Sequence, residues 1–453
     1  MLTSAPRADV IAAIATPPGR GGIGVVRVSG PDLSRVVDGV VEHALTPRVA
    51  TLANFRGDRG EILDQGLALL FPAPASYTGE TVLELHGHGG PAVLALILAR
   101  CVALGARLAQ PGEFTQRAFL NGKLDLAQAE GVADLIDAAS ATAARAAARS
   151  LSGAFSHQVT AIVDALIELR MVTEATLDFP DEDIEFLGAT HARGKLSALR
   201  ESVERLLARS RQGSLLREGL AVVLIGAPNV GKSSLLNRLV GDEVAIVTPI
   251  AGTTRDAIRS SVEIRGIPLH LIDTAGLREA TDAVESIGIE RTWAAIAHAD
   301  LALIVTDARD QESGMGALEA RLPVTLQRIE ARNKIDLTAA APHVVNSNGR
   351  CTVWLSAKTG AGIDLLEEAV LAVAGVHEDM EGTFLARARH LQALVAASGH
   401  LGDAAAQLAA TPPPLELVAE ALRNAQTALS TITGEFSADD LLGEIFSRFC
   451  IGK

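Results

Sequence analysis

The chain has 453 residues, a mass of 47.1 kDa and a formal net charge of -14, which at roughly 150 residues per domain leaves room for about three domains, each with its own core. Hydrophobic residues make up 48% and charged residues 21%, a globular balance that excludes a disordered tail protein. The acidic charge excludes a surface that coats nucleic acid throughout, and 3% aromatics excludes the base-stacking platforms of single-strand binders, so any RNA contact is local or shared with a partner.

The first residues, MLTSAPRADV, carry no basic segment followed by an apolar core and a cleavage site, so the cytoplasm is the expected location. From about residue 8 to 120, short β-branched runs such as Ile23 to Val28 and Thr81 to Leu85 alternate with Gly/Pro punctuation, and Ala92 to Leu104 has a helical pattern; a mixed α/β domain is expected over 1–123. The longest apolar stretch, Pro91 to Ala106, is cut by Arg100 and is too short to span a membrane. Three segments here are dense in Gly with interspersed charge: Thr16 to Arg27, Tyr77 to Gly90 and Pro111 to Lys123. Loops of this kind are where ligand sites sit. Arg27, Glu84 and Lys123 could bind a carboxylate-bearing, ring-containing ligand, but taken alone each reads first as an ordinary surface ion pair. His86 and His88 lack a third ligand for a metal.

From 124 to 217 the composition turns to Ala, Leu, Glu and Arg with apolar residues three and four apart, as in Leu126, Ala127, Ala133, Leu135 and Ile136 and again from His157 to Thr176. That spacing predicts helices, broken near Phe179-Pro180. Over 218–376, apolar strands (Ala221 to Ile225, Leu269 to Ile272, Leu301 to Val305, Val353 to Leu355) alternate with helical stretches, the pattern of a parallel sheet wrapped by helices. Gln327 to Ala331 is unusually polar for a strand of such a sheet. From 377 to 453 helical texture resumes over Phe384 to Ala410, Leu415 to Ile432 and Ala438 to Phe449. The simplest architecture inserts the third domain into a helical one built from both flanks. Cys101, Cys351 and Cys450 are widely spaced without a CxxC pair and read as reduced thiols. The terminal Cys450-Ile-Gly-Lys453 is not a prenylation box, because Gly452 and Lys453 spoil it.

Gly226-Ala-Pro-Asn-Val-Gly231-Lys232-Ser233 follows an apolar strand and opens a helical pattern at Ser234 to Leu239, which is the context of a phosphate-binding P-loop. Its glycines let backbone N–H groups close around phosphates. Lys232 should reach the β/γ oxygens, and Ser233 should ligate Mg²⁺. Asp273-Thr274-Ala275-Gly276 ends the next apolar strand, where the aspartate can hold Mg²⁺ through water and the glycine amide can sense a γ-phosphate. Asn333-Lys334-Ile335-Asp336 offers a carboxylate to N1–H and the 2-amino group of guanine, which adenine does not present. Ser356-Ala357-Lys358 completes the base pocket. The GTP-contacting set is thus Asn229, Val230, Gly231, Lys232, Ser233, Ser234, Thr248, Thr253, Thr254, Asp273, Thr274, Ala275, Gly276, Asn333, Lys334, Asp336, Ser356, Ala357 and Lys358.

Where Ras-like proteins carry a glutamine after the DxxG glycine, this chain has Leu277, which cannot orient water. Glu279, Asp282, Glu285 and Glu290 are candidate water-positioning carboxylates, and their spacing does not choose among them. Thr248 to Asp256 forms a Gly/Thr-rich loop in which Thr254 fits a second Mg²⁺ ligand. Asn229 either offers an amide oxygen to a potassium-sized cation beside the phosphates or ties the P-loop to neighbouring backbone.

The strings PPGRGGIGVVR, GEFTQRAFLNGKLDLAQAE, FPDEDI, RQGSLLREG, GAPNVGKSSLLN, VTPIAGTTRD, DTAGLRE, VESIGIER and TGEFSADDLLGEIFSRFCIGK run the length of the chain, and together they resemble the MnmE (TrmE) family of bacterial tRNA-modification GTPases. The resemblance implies an N-terminal folate-binding and dimerisation domain, a helical domain and an inserted GTPase domain. It also implies that Glu285 positions the attacking water and that Asn229, Thr248, Ile250 and Thr253 hold K⁺, which promotes pairing of two GTPase domains. Arg27, Glu84, Lys123 and Lys453 would bind a tetrahydrofolate derivative, in the 5-formyl or methylene form, with the tail bringing Cys450 near it. As activity it implies GTP hydrolysis by a homodimer that works with the flavoprotein MnmG to add an aminomethyl or carboxymethylaminomethyl group at carbon 5 of the wobble uridine of certain tRNAs.

Overall fold

The computed structural model describes residues 9–178, 189–240, 258–273, 296–297, 299–310, 322–324, 326–347, 350–373, 375, 382–435, 442, 445–447, 449 and 452. These fall into two compact units, one built from 1–133, 151–193 and 399–453 and the other from 134–150 and 194–398. No helix among the described residues is long and apolar enough to cross a membrane.

The first unit opens with β1 (Ile11–Ile14), β2 (Gly21–Gly30), α1 (Ser34–Val40), β3 (Thr51–Arg56), β4 (Ile62–Phe71), β5 (Thr81–Gly89), α2 (Pro91–Ala103), β6 (Arg107–Leu108) and α3 (Glu113–Leu120). The six strands form one sheet in the order β3-β4-β5-β2-β1-β6. It is antiparallel throughout except where β6 runs parallel to β1. Alternation along β2 sends Val26 and Val28 into a core with Leu83, Leu85, Leu94 and Ile97, and strand geometry therefore sends Arg27 to the opposite face. There a smaller cluster of Ile11, Ala13, Ala109 and Phe114 packs with Tyr77. Cys101 is buried in the larger core, and burial pushes its thiol up to about 12, which makes it inert.

The GEFTQR segment forms the start of α3 and supplies an ion cluster in which Glu113 and Arg117 are buried and Asp9 and Arg107 half-buried. Arg107 bridges Asp9 and Glu113, each at 2.7 Å, and Arg117 reaches Asp9 at 2.9 Å, Glu80 at 3.0 Å and Glu113 at 3.1 Å. Burial pushes the Glu113 carboxyl up, but hydrogen bonds from Arg107, the Gln110 N–H and Arg117 outweigh it and leave the group below its ordinary value. Asp9 is also lowered, burial again opposing Arg107 and Arg117. Carboxylates depressed in the folded state stabilise it above their unfolded pKa, and that stability is lost as pH falls through the lower folded values. We therefore expect the thermal midpoint of the protein to drop below about pH 4. Arg107→Gln should lower the neutral-pH midpoint and flatten this acid limb. A wild-type midpoint unchanged from about pH 6 to pH 3 would contradict the assignment.

The chain continues through α4 (Leu126–Asp137), α5 (Ala141–Leu151), α6 (Ala154–Asp178) and α7 (Ala189–Glu218). Helix α6 buries Phe155, Val159, Ile162, Val163, Leu166 and Leu169 at helical spacing.

The second unit holds β7 (Leu220–Gly226), α8 (Lys232–Val240), β8 (Ile258–Ile264), β9 (Ile267–Asp273), β10 (Leu301–Asp307), β11 (Gln327–Asn333), β12 (His343–Ser347), β13 (Arg350–Trp354) and α9 (Ile363–Val373). Its seven strands lie in the order β12-β13-β11-β10-β7-β9-β8. The five inner strands are parallel, and β8 and β12 are antiparallel at the edges. Strand β10 is buried along its whole length, as a central parallel strand must be. The polar segment 327–333 is nevertheless a sheet strand between β10 and β13. Glu330 lies buried in it and is satisfied by Thr306 Oγ1 at 3.2 Å and by Arg332 Nε at 3.1 Å, which removes the desolvation cost of an unpaired carboxylate.

Helix α5 belongs to this unit. Its Ala146 and Ala147 are fully buried in the core that contains Val262, Ile264, Ile267 and Leu269 of β8 and β9. Asp134 on α4 accepts from Arg217 Nε at 2.9 Å and Arg387 Nη2 at 2.8 Å. The two arginines flank the point where the chain leaves α7 for the sheet and the point where it returns.

Helix α10 (Ala388–Leu408) and α11 (Leu415–Thr433) follow. The helical pattern from Phe384 begins four residues later than the sequence suggests. Phe384, Leu385 and Ala386 are buried in non-helical backbone, where Ser150 Oγ accepts the Leu385 N–H at 2.9 Å and Arg149 Nε donates to the Thr383 carbonyl at 2.6 Å. A Cβ on Gly213 of α7 would lie 2.0 Å from the Phe384 carbonyl oxygen, so the segment lies directly against α7. Returning to the first unit, α11 packs its Val418, Leu422, Ala425 and Leu429 face against α6. Leu442, Ile445, Phe446 and Phe449 pack on Leu126 and Ala129.

Candidate functional site

Strand β7 ends at Gly226, and the chain turns through Ala227 to Gly231 into α8. Asn229 takes a left-handed conformation at φ 62° and Gly231 one at φ 99°. Val230 is buried beneath the loop and Leu235 anchors the first turn of α8. The Gly231 carbonyl accepts the first helical bond from Leu235 N–H at 2.9 Å. Consecutive N–H groups are thereby turned toward the helix N-terminus, the geometry that binds anions. Lys232 Nζ donates to the carbonyls of Gly226 at 2.6 Å and Ala227 at 2.9 Å, which keeps its ammonium within the loop. Ser233 and Ser234 are exposed.

Asn333 ties the P-loop to the base-side loops. At the end of β11 and buried, it donates through Nδ2 to the Val230 carbonyl at 2.8 Å. Its Oδ1 accepts the N–H groups of Lys334 at 2.8 Å and Ala357 at 2.9 Å. One side chain therefore joins three of the motifs read from sequence. Lys334, at φ 71°, donates to the Asn229 carbonyl at 2.6 Å and to Asp307 Oδ2 at 2.9 Å. Asp336 is exposed in a 3-10 turn over Ile335–Leu337. Ser356 Oγ donates to its Oδ1 at 2.6 Å and accepts the Thr359 N–H at 3.2 Å. Lys358 is exposed, and Arg238 of α8 donates to the carbonyls of Ala357 at 3.2 Å and Lys358 at 2.8 Å. Asp273 ends β9, paired in register with Leu224 of β7, so its backbone lies beside the strand that feeds the P-loop. Thr248, Ile250, Thr253, Thr254, Thr274, Ala275, Gly276 and Glu285 lie outside the described residues.

In the first unit, Arg27 and Glu84 are cross-strand register partners and form an ion pair at 2.8 Å. Glu84 Oε2 also meets His86 Nε2 at 3.1 Å. The Arg27 guanidinium lies 5.5 Å from the Tyr77 ring centroid and 5.8 Å from that of Phe114, and Nη1 donates to the Gly452 carbonyl at 3.3 Å. Sequence reasoning missed Tyr77 and Phe114, although both stand in the segments it singled out. Burial pushes the Tyr77 hydroxyl up, against the hydrogen bond shared with Thr115 and the charge of Arg27. Lys123 is exposed, and a Cβ on Gly79 would lie 3.3 Å from its Cγ, which places its stem on the Thr78-Glu80 loop. Cys450 and Lys453 lie outside the described residues.

Residues 126–450 match the family model described as the MnmE helical domain, and residues 10–123 match the one described as the GTP-binding protein TrmE N-terminus. A tRNA modification GTPase MnmE of Azoarcus sp. (strain BH72) is 59% identical over 456 residues, spanning 100% of both chains. The protein of the same name from Nitrosomonas europaea is 58% identical over 452 residues, 98% of this chain and 99% of that one. The one from Dechloromonas aromatica (strain RCB) is 58% identical over 449 residues, 99% of this chain and 100% of that one. At 59% identity over the whole of both chains, and with both family models matched, the chain belongs to the MnmE family of tRNA modification GTPases.

Proposed function

We propose that the chain hydrolyses GTP and uses the energy, with the flavoprotein MnmG, to drive addition of an aminomethyl or carboxymethylaminomethyl group to carbon 5 of the wobble uridine of certain tRNAs. The observation that carries the nucleotide part is the Asn333 side chain, which joins Val230, Lys334 and Ala357 and so draws phosphate-side and base-side loops into one site. In this reading the GTPase domain spans 218–376, between helical segments 124–217 and 377–453 and after an N-terminal domain over 1–123.

The P-loop N–H groups and Lys232 hold and orient the phosphates, and Asp336 with Ser356 selects guanine. Ser233 on the first turn of α8, with Thr254, would hold Mg²⁺, which supplies charge neutralisation at the phosphates. The exposed hydroxyl of Ser233 fits a hard, oxygen-seeking cation. Asn229, with Thr248, Ile250 and Thr253, would hold K⁺. An exposed Asn229 at a left-handed turn, its carbonyl fixed by Lys334, fits that role. Glu285 would position the attacking water that Leu277 cannot. We expect hydrolysis several-fold faster in potassium than in sodium at equal ionic strength; equal rates would remove the cation role.

Arg27, Glu84, Lys123 and Lys453 would hold the tetrahydrofolate derivative as one-carbon donor. The Arg27 guanidinium with the Glu84 carboxylate, the Tyr77 and Phe114 rings beneath it and the Gly452 carbonyl on the same guanidinium suit a flat heterocycle with polar edges. A cytoplasmic homodimer is the assembly proposed. Mass analysis of wobble uridine in tRNA from a deletion strain tests the whole reading: loss of the modification is expected, and normal modification would reject it. Purified chain with folate and tRNA but without the flavoprotein should be inactive. Robust activity would favour a self-sufficient aminomethyltransferase.

A further inference from the structure

Asp307, the last residue of β10, lies in register with Asn333 of β11 and is almost fully buried, yet none of the nucleotide motifs contains it. Its carboxylate is fixed from two sides. Arg309 forms a fork on it, Nε to Oδ1 at 2.9 Å and Nη2 to Oδ2 at 2.8 Å, and adds its own N–H at 3.1 Å. Lys334 Nζ approaches Oδ2 at 2.9 Å. The Ala308 N–H donates to the Asn333 carbonyl at 2.8 Å, so the turn after β10 is itself bonded to the base-side loop.

Lys334 starts from left-handed backbone and bridges Asp307 to the Asn229 carbonyl at the tip of the P-loop. A long, flexible lysine stem adopts a single bridging pose only if both ends are paid for by good partners. The Asn229 carbonyl is a neutral acceptor on an exposed loop. A buried carboxylate, itself locked by a planar guanidinium, is the stronger and more rigid of the two anchors. The hydrogen bonds from Arg309 hold that carboxyl well below the usual carboxylate range, with Lys334 adding to them and burial opposing, so the anchor stays charged at any working pH.

We propose that Asp307, oriented by Arg309, is a positioning residue for guanine-nucleotide binding: it fixes Lys334 so that one ammonium spans the base loop and the P-loop. The inference rests on the nucleotide-site reading above and extends it to two residues outside the motifs. Asp307 touches no nucleotide in this account and acts only through Lys334.

The test is the dissociation rate of a fluorescent GDP analogue from the full-length protein, for wild type, Asp307→Asn, Arg309→Gln, Lys334→Met and the double variant Asp307→Asn/Lys334→Met. Loss of one charge-assisted hydrogen bond to Lys334 should speed dissociation about 10-fold or more in Asp307→Asn. Arg309→Gln, at a side chain that is 54% exposed, should give a smaller increase in the same direction, with a thermal melt to confirm folding. In the Lys334→Met background, Asp307→Asn should have no further effect, because the group it positions is gone; a merely structural contribution to the sheet would add fully in both backgrounds. Unchanged dissociation in Asp307→Asn and Arg309→Gln, or full additivity in the double variant, overturns the inference while leaving the nucleotide site intact. Wild-type protein that fails to bind the analogue would instead defeat the nucleotide-site reading itself.

Discussion

Replacing Asp336 with asparagine is expected to cut GDP affinity by about 10⁴-fold and to transfer preference toward xanthine nucleotides. A carboxylate accepts from both N1–H and the 2-amino group of guanine. An amide presents a donor where the 2-amino donor points, whereas xanthine carries a carbonyl there. The structure shows why the effect should be confined to the base. Asp336 is exposed in the 3-10 turn, with the buried Ile335 fixing the turn beneath it. Ser356 Oγ engages only Oδ1, at 2.6 Å, so the other oxygen and its lone pairs remain for the base edge. Competition of GDP and XDP against a fluorescent guanine nucleotide measures the switch, and unchanged selectivity would remove Asp336 from the base pocket.

Gly231→Ala should weaken nucleotide binding by about 10²-fold or more while leaving the rest of the fold in place. Two costs coincide. At φ 99° an L side chain is strained by about 1–2 kcal/mol. The added methyl would also lie 2.3 Å from Asn333 Nδ2. That atom is not the loose end of a side chain: Asn333 is buried and held by its bonds to Val230, Lys334 and Ala357. Either the P-loop opens or Asn333 gives up the Val230 carbonyl, and both uncouple phosphate-side from base-side loops. Titration with GDP, beside a thermal melt to confirm folding, separates this from global unfolding. Near-wild-type affinity would mean that Asn333 does not hold the loops together.

The legible parts of this molecule are those in which chemistry demands fixed spacing. The P-loop, Asp273 at a strand end and the Asn333-Lys334-Ile335-Asp336 run could be placed on strand ends because a phosphate cradle and a base pocket each need certain residues at certain offsets. The knitting of the loops was not legible, since Asn333 and Lys334 reach partners more than a hundred residues away, and periodicity says nothing about such distances. Strand β11 looked too polar because a single chain cannot show that Thr306 and Arg332 satisfy Glu330 across and along the sheet. The non-helical run before α10 was hidden for a related reason: its backbone is satisfied by Arg149 and Ser150 of a helix far upstream. Arg27 and Glu84 could be singled out from the sequence, but not their pairing with each other, nor the two aromatic neighbours or the Gly452 carbonyl, which meet only after the sheet and the C-terminal segment are assembled. The choice of Glu285 among four carboxylates and the K⁺ roles of Thr248, Ile250 and Thr253 rest on the family resemblance, and these residues lie outside the described residues.

The central claim is that the loops at the carboxyl ends of β7, β11 and β13 form one guanine-nucleotide site, and titration calorimetry on the folded, magnesium-supplemented protein tests it most directly. GDP should release heat with one site per chain, and ADP under the same conditions should give none. Heat from ADP equal to that from GDP, or silence with both, would contradict the account.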